Sequence, residues 1–96
     1  MEFVRAPPRH VQFLVSRGVT IDCEGPKSSK VTWVTADGTD VIMLIDVINV
    51  KKNGSLVIEP DADSKALTHL SHRGLRCRLQ NGMGILQSHV IQIQPG

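Results

Sequence analysis

Apolar and polar residues alternate along most of this chain. Val19, Ile21 and Cys23 stand two apart around Thr20 and Asp22. Val31 and Trp33 flank Thr32, Leu56 and Ile58 lie two apart, and Leu75, Cys77 and Leu79 enclose Arg76 and Arg78. Ile91 and Ile93 enclose Gln92. A period of two sends one set of side chains inward and the other toward solvent, as in half-buried antiparallel strands. Turn formers punctuate the runs at Pro7-Pro8, Arg17-Gly18, Gly25-Pro26, Asp37-Gly38, Asn53-Gly54 and Asn81-Gly82. The pattern predicts strands over 2–6, 10–15, 18–24, 30–36, 46–51, 55–59, 73–81 and 85–94. The first two form one edge strand broken by the prolines, which cannot donate to a ladder. Helical spacing occurs only in Asp61–Leu70, through Ala62, Ala66, Leu67 and Leu70, where a single short turn is expected. Short strands separated by turn signals imply an all-β sandwich or barrel.

The Asn53-Gly54 hairpin has a register that the pattern can choose. A two-residue loop would set Leu56 and Ile58 opposite Lys51 and Asn49, mixing the faces. A three-residue loop pairs Lys51 with Ser55, Val50 with Leu56 and Ile48 with Ile58, and puts four apolar side chains on one side. It also places Gly54 where a left-handed residue is required. The second register is therefore expected.

Cys23 and Cys77 both lie on inward positions, and Trp33 lies inward between them, ten positions after Cys23. Two buried cysteines joining two sheets, with a tryptophan packed on them, mark the immunoglobulin fold. The expected architecture is an immunoglobulin-like two-sheet antiparallel sandwich of the I-set type with one inter-sheet disulfide, Cys23–Cys77. Two reduced buried cysteines, as in intracellular immunoglobulin domains, fit the same positions. The disulfide is the preferred reading, because paired cysteines in a small β-domain point to an oxidising compartment.

Composition narrows the function mainly by exclusion. Ninety-six residues make one domain, 1–96, expected to be a fragment of a larger ectodomain. Eleven Lys and Arg against nine Asp and Glu leave a net charge of +2, with the basic residues scattered and only three aromatics. That is no nucleic-acid footprint. The longest uncharged apolar run, Val41–Ile45, is too short to span a membrane, so no membrane contact by this segment is expected. Five consecutive apolar residues cannot all face inward on a strand. Two or three of them, Ile42 and Leu44 being the candidates, are expected to be exposed and to touch a neighbouring domain, unless the segment bulges into the core.

No catalytic constellation is present and no enzyme activity is expected. His69-x-x-His72 near Asp61 and Asp63 is the one cluster with metal-ligand character. It reads as a solvated polar loop, so no metal or other cofactor is expected. Asn53-Gly54-Ser55 is an acceptor sequence for N-glycosylation as well as a turn.

Longer segments resemble a known family. Phe3–Phe13 reads FVRAPPRHVQF, Trp33–Val41 reads WVTADGTDV, Lys51–Glu59 reads KKNGSLVIE and Leu75–Ile93 reads LRCRLQNGMGILQSHVIQI. Together they resemble the first immunoglobulin domain of the Down syndrome cell adhesion molecule (Dscam) family, over almost the whole chain. The chain departs from the common Asp-x-Gly-x-Tyr-x-Cys pattern, with Arg73 and Leu75 before Cys77. The tyrosine whose hydroxyl ties the corner is missing. Leu75 is expected to keep the core packing while another group satisfies the corner backbone. Asp61, where relatives carry an aromatic, is a second departure.

The resemblance implies an extracellular piece of a membrane-anchored cell-surface receptor. Its partners would be itself, weakly, and neighbouring immunoglobulin domains of the same chain. The implied function is homophilic adhesion and self-recognition, including self-avoidance of neurites. A structural spacer and an immune-type receptor domain that binds foreign ligands are the alternatives. By alternation, the outward residues of the strands near 10–15, 18–24 and 55–59 are Gln12, Leu14, Thr20, Asp22, Val57 and Glu59. These are the expected homophilic face.

Overall fold

In the computed structural model, residues 1–41 and 48–96 are described. Among these residues, eight strands and one helix follow in order: β1 His10–Phe13, β2 Val19–Ile21, β3 Lys30–Thr35, β4 Ile48–Val50, β5 Leu56–Ile58, α1 Ser64–Arg73, β6 Leu75–Asn81, β7 Gly84–Gln87 and β8 Gln92–Pro95. One sheet has the order β2-β5-β4 and is antiparallel. The other holds β3-β6-β7, also antiparallel. β8 continues beyond β7, is tied to β6 by a bridge between Leu75 and Ile91, and carries β1 alongside it in parallel.

The alternating side chains close one core between the sheets. Ile21, Leu56, Ile58 and Ile48 come from one sheet, and Trp33, Cys77, Leu79, Leu75, Ile91 and Ile93 from the other; all are buried. The Asn53-Gly54 hairpin takes the expected register, Val50 opposite Leu56 and Ile48 opposite Ile58. Lys51 N–H donates to the Ser55 carbonyl at 2.9 Å. Gly54 has φ +94°, and a Cβ there would lie 2.7 Å from Val31, so both conformation and space demand glycine.

Four expectations change in detail. The segment 2–6 is reduced to a bridge between Arg5 and Glu24 beside β2. The chain does break at Pro7-Pro8, but its two halves serve different sheets, with Arg5 beside β2 and β1 beside β8. The strand expected over 85–94 is two, β7 and β8. At the break the Ser88 hydroxyl, not a carbonyl, accepts the Cys77 N–H at 2.9 Å, and the same hydroxyl donates to the His89 carbonyl at 2.8 Å.

The short turn expected in Asp61–Leu70 is instead a ten-residue helix. Asp63 caps it by accepting the Lys65 N–H, Gly74 ends it at φ +74°, and Leu67 and Leu70 are buried beneath it. Its length comes from what it packs against, since Ser71 Oγ donates to the Ile93 carbonyl of β8 at 2.9 Å. Of the run Val41–Ile45, Val41 is buried. Ile42 and Leu44 lie outside the described residues.

Candidate functional site

Cys23 and Cys77 form a disulfide with Cα atoms 6.6 Å apart, within the span a bridge requires. Trp33 is the register partner of Cys77, and both are fully buried. A buried indole N–H must find an acceptor. Trp33 Nε1 donates to the Gly54 carbonyl at 2.7 Å. The hairpin glycine thus has a second role, anchoring the tryptophan from the opposite sheet.

The corner before Cys77 is held without a tyrosine. Leu75 is fully buried, its N–H donates to the Ile91 carbonyl at 3.1 Å, and Ile91 N–H returns the bond at 2.7 Å. Helix α1 occupies the corner, with Gly74 N–H bonded to the Leu70 carbonyl and Ser71 to β8. At the helix end the Gly74 N–H satisfies the Leu70 carbonyl, while the Ser71 hydroxyl ties the helix to β8 rather than to the corner backbone.

The outward face of β2 and β5 is the sheet surface on which four of the six expected interface residues meet. Thr20 stands beside Val57, and Val57 beside Asn49. Asp22 and Glu59 flank this row. Ser55, buried at the base of the hairpin, donates through its Oγ to Asp22 Oδ1 at 2.8 Å, while Arg5 lies 3.4 Å from Oδ2. Asn49 Nδ2 donates to Glu59 Oε1 at 2.7 Å. Both carboxylates are therefore engaged within the chain, and the centre of the face is uncharged.

Gln12 reaches the margin of that surface, lining a groove together with Thr20 and Asp22, whereas Leu14 lies away from it. β1 pairs with β8, which places Gln12 on the other sheet's edge, where its Nε2 donates to Gln94 Oε1 at 3.0 Å. Leu14, 55% exposed, follows β1 beside Phe13, Pro95 and Gly96. Alternation gives a side chain's direction within its own strand but not the sheet to which the strand belongs.

At the hairpin tip Asn53 is exposed, whereas Gly54 and Ser55 are buried. Asn53 Oδ1 accepts the Ser55 N–H at 3.1 Å. His69 and His72 are exposed on α1, and among the described residues no three potential ligands gather. Asp37, in the turn after β3, accepts hydrogen bonds from the Thr35 hydroxyl and the Thr39 N–H, and lies 2.8 Å from Arg73. The Thr35 bond foremost, then Thr39, with a smaller part from Arg73, lower its pKa to about 2.

Two antiparallel sheets packed face to face, cross-linked by a disulfide beside a buried tryptophan, define an immunoglobulin domain. No family model matches the sequence. The chain is 34% identical over 94 residues to the cell adhesion molecule Dscam2 of Drosophila melanogaster, a match over 96% of this chain and 4% of that protein. It is 29% identical to the cell adhesion molecule DSCAML1 of Mus musculus, over 96% of this chain and 5% of that protein. The N-terminal four immunoglobulin domains of Dscam1 isoform 1.9 superpose with a TM-score of 0.83 at 22% identity, covering 99% of this chain and 25% of that one. The N-terminal eight domains of Dscam isoform 1.30.30 give the same score and identity over 14% of their length. The chain belongs to the Dscam family, as one of its immunoglobulin domains.

Proposed function

We propose that this domain is one unit of a longer extracellular region of a membrane-anchored cell-surface receptor, that it corresponds to the family's first, I-set type domain, and that it contributes to homophilic adhesion and self-recognition. The chain spans 4–5% of Dscam2 and DSCAML1, so neighbouring immunoglobulin domains of the same chain are partners alongside a second copy. The self-contact is the outward face of β2 and β5. The observation that carries it is the uncharged row Thr20–Val57–Asn49 between two carboxylates already satisfied by Arg5, Ser55 and Asn49. A two-fold pair sets a face against its own copy, where like charges oppose association. Here Asp22 and Glu59 need no help from a partner. Leu14 lies outside this contact, and Gln12 stands at its margin beside Thr20 and Asp22.

One domain face buries little area, so pairing is micromolar or weaker, and linked domains raise it through effective concentration. Sedimentation over a concentration series tests the reading. Val57→Arg should remove self-association through this face and leave the melting temperature nearly unchanged. A variant that pairs on it as well as the parent does sinks it, and a parent that never associates makes the domain a spacer. Asn53 is proposed to carry an N-glycan, its side chain being exposed at a hairpin tip. Secreted protein should lose a glycan mass on enzymatic release of N-glycans, and Asn53→Gln should lack it.

A further inference from the structure

Strand β7 is paired on one side only. β6 lies along it, whereas β1 pairs with β8 over Gln92–Pro95, beyond the end of β7; among the described residues nothing pairs with its other side. Ser88 N–H donates to the Cys77 carbonyl at 2.8 Å. Alternation from that bond turns the backbone of Leu86 and Gly84 toward β6 and that of Ile85 and Gln87 toward the open side. Met83–Ser88 contains no charged residue and no proline, and Met83 and Ile85 are 78% and 60% exposed. A Cβ at Gly82 or Gly84 would meet no atom within 4 Å, so the approach is clear.

Open edges are normally guarded by charge, proline or a covering segment. Three other edges among the described residues are: Pro7, Pro8 and Arg9 precede β1, Arg5 bridges beside β2, and Lys51 and Lys52 follow β4. We propose that the open edge of β7 is a second self-association element, pairing antiparallel with β7 of another copy across a two-fold axis. A second copy fits because the strand is uncharged and can lie beside itself. The nearest cation in the sheet, Arg78, pairs with Gln87 one strand in. Across the joint sheet, two Arg78 residues stand about three strand spacings apart, roughly 14 Å and beyond the screening length at physiological salt.

Matching apolar groups selects the register with Ile85 on the axis, opposite its own mate, and Met83 opposite Gln87. This contact lies on the sheet opposite Thr20 and Val57, so it is independent of the face proposed above. A four-residue strand pair buries less than a standard interface, so the association is weak.

The test is sedimentation of the parent, Ile85→Lys, Gln87→Pro and Val57→Arg domains, with amide exchange across protein concentration. Gln87→Pro removes an N–H that faces the open side and leaves the β6 ladder intact. Ile85→Lys and Gln87→Pro are expected to weaken edge pairing on the order of tenfold or more at an unchanged melting temperature. The Ile85 and Gln87 amides should gain protection as concentration rises, also in Val57→Arg. Unchanged association in both edge variants, or no concentration-dependent protection of these amides, overturns the proposal. If Val57→Arg alone abolishes association while these amides stay unprotected, the edge fails and the β2–β5 face stands.

Discussion

At Trp33 a large apolar ring and one polar N–H are buried together, and the two are satisfied by different strands. The ring fills the space beside Cys77, and the N–H reaches the Gly54 carbonyl at 2.7 Å. Trp33→Ala should cost about 3–5 kcal/mol, as for other large core truncations. Trp33→Phe leaves the buried carbonyl without its donor and should cost about 1–3 kcal/mol; urea denaturation measures both. A loss under about 1 kcal/mol in the alanine variant would place Trp33 outside the core. Asp37 gives the molecule a pH signature. Its folded pKa, about 2, lies below the ordinary 3.8. The contribution of its bonds is therefore complete above about pH 4 and is lost as pH falls through about 2. Carboxyl-carbon NMR should follow this titration, and Asp37→Asn should flatten the acid limb of the stability curve.

Helix α1 is held by one buried face, one side-chain bond and a glycine stop. Where a corner tyrosine is absent, Leu67 and Leu70 bury one face of the helix and Ser71 bonds β8. Gly74 ends the helix at φ +74°, and a Cβ there would lie 2.7 Å from Val90 Cγ1. Gly74→Ala should therefore destabilise by at least about 1 kcal/mol through strain and overlap. Ser71→Ala removes one hydroxyl bond and should cost about 1 kcal/mol. Thermal melts of the two variants would separate the helix stop from its anchor. The exposed Arg73–Asp37 pair, by contrast, adds little, because solvent screens it.

For the molecule as a whole, the Cys23–Cys77 bridge closes a separation of 54 residues. On the chain-entropy account that is worth about 4 kcal/mol, a large share of what a small domain has in total. Reduction should lower the denaturation midpoint sharply, and a Cys23→Ala/Cys77→Ala double variant should reproduce the loss. A midpoint that does not move on reduction would mean that the sandwich stands without its cross-link. The two proposed self-contacts lie on different sheets, so Val57→Arg and Ile85→Lys should act independently on association.

The sequence by itself determined the alternating strands, the register of the Asn53-Gly54 hairpin, the inward placement of Cys23, Trp33 and Cys77, and the family. These follow from local rules: a period of two, the φ that Gly54 must adopt, and motifs contiguous along the chain. Tertiary structure decided the rest. Alternation left β1 without a partner strand, because it cannot say that the chain breaks at Pro7-Pro8 and that β1 then pairs with β8. The length of α1 depended on a partner strand that lies more than twenty residues away, at Ile93. The break between β7 and β8 came from a buried Ser88 hydroxyl standing in for a carbonyl. In each case the deciding bond joins residues distant in sequence, and such pairings are set by which hydrogen bonds a packed core leaves to be satisfied.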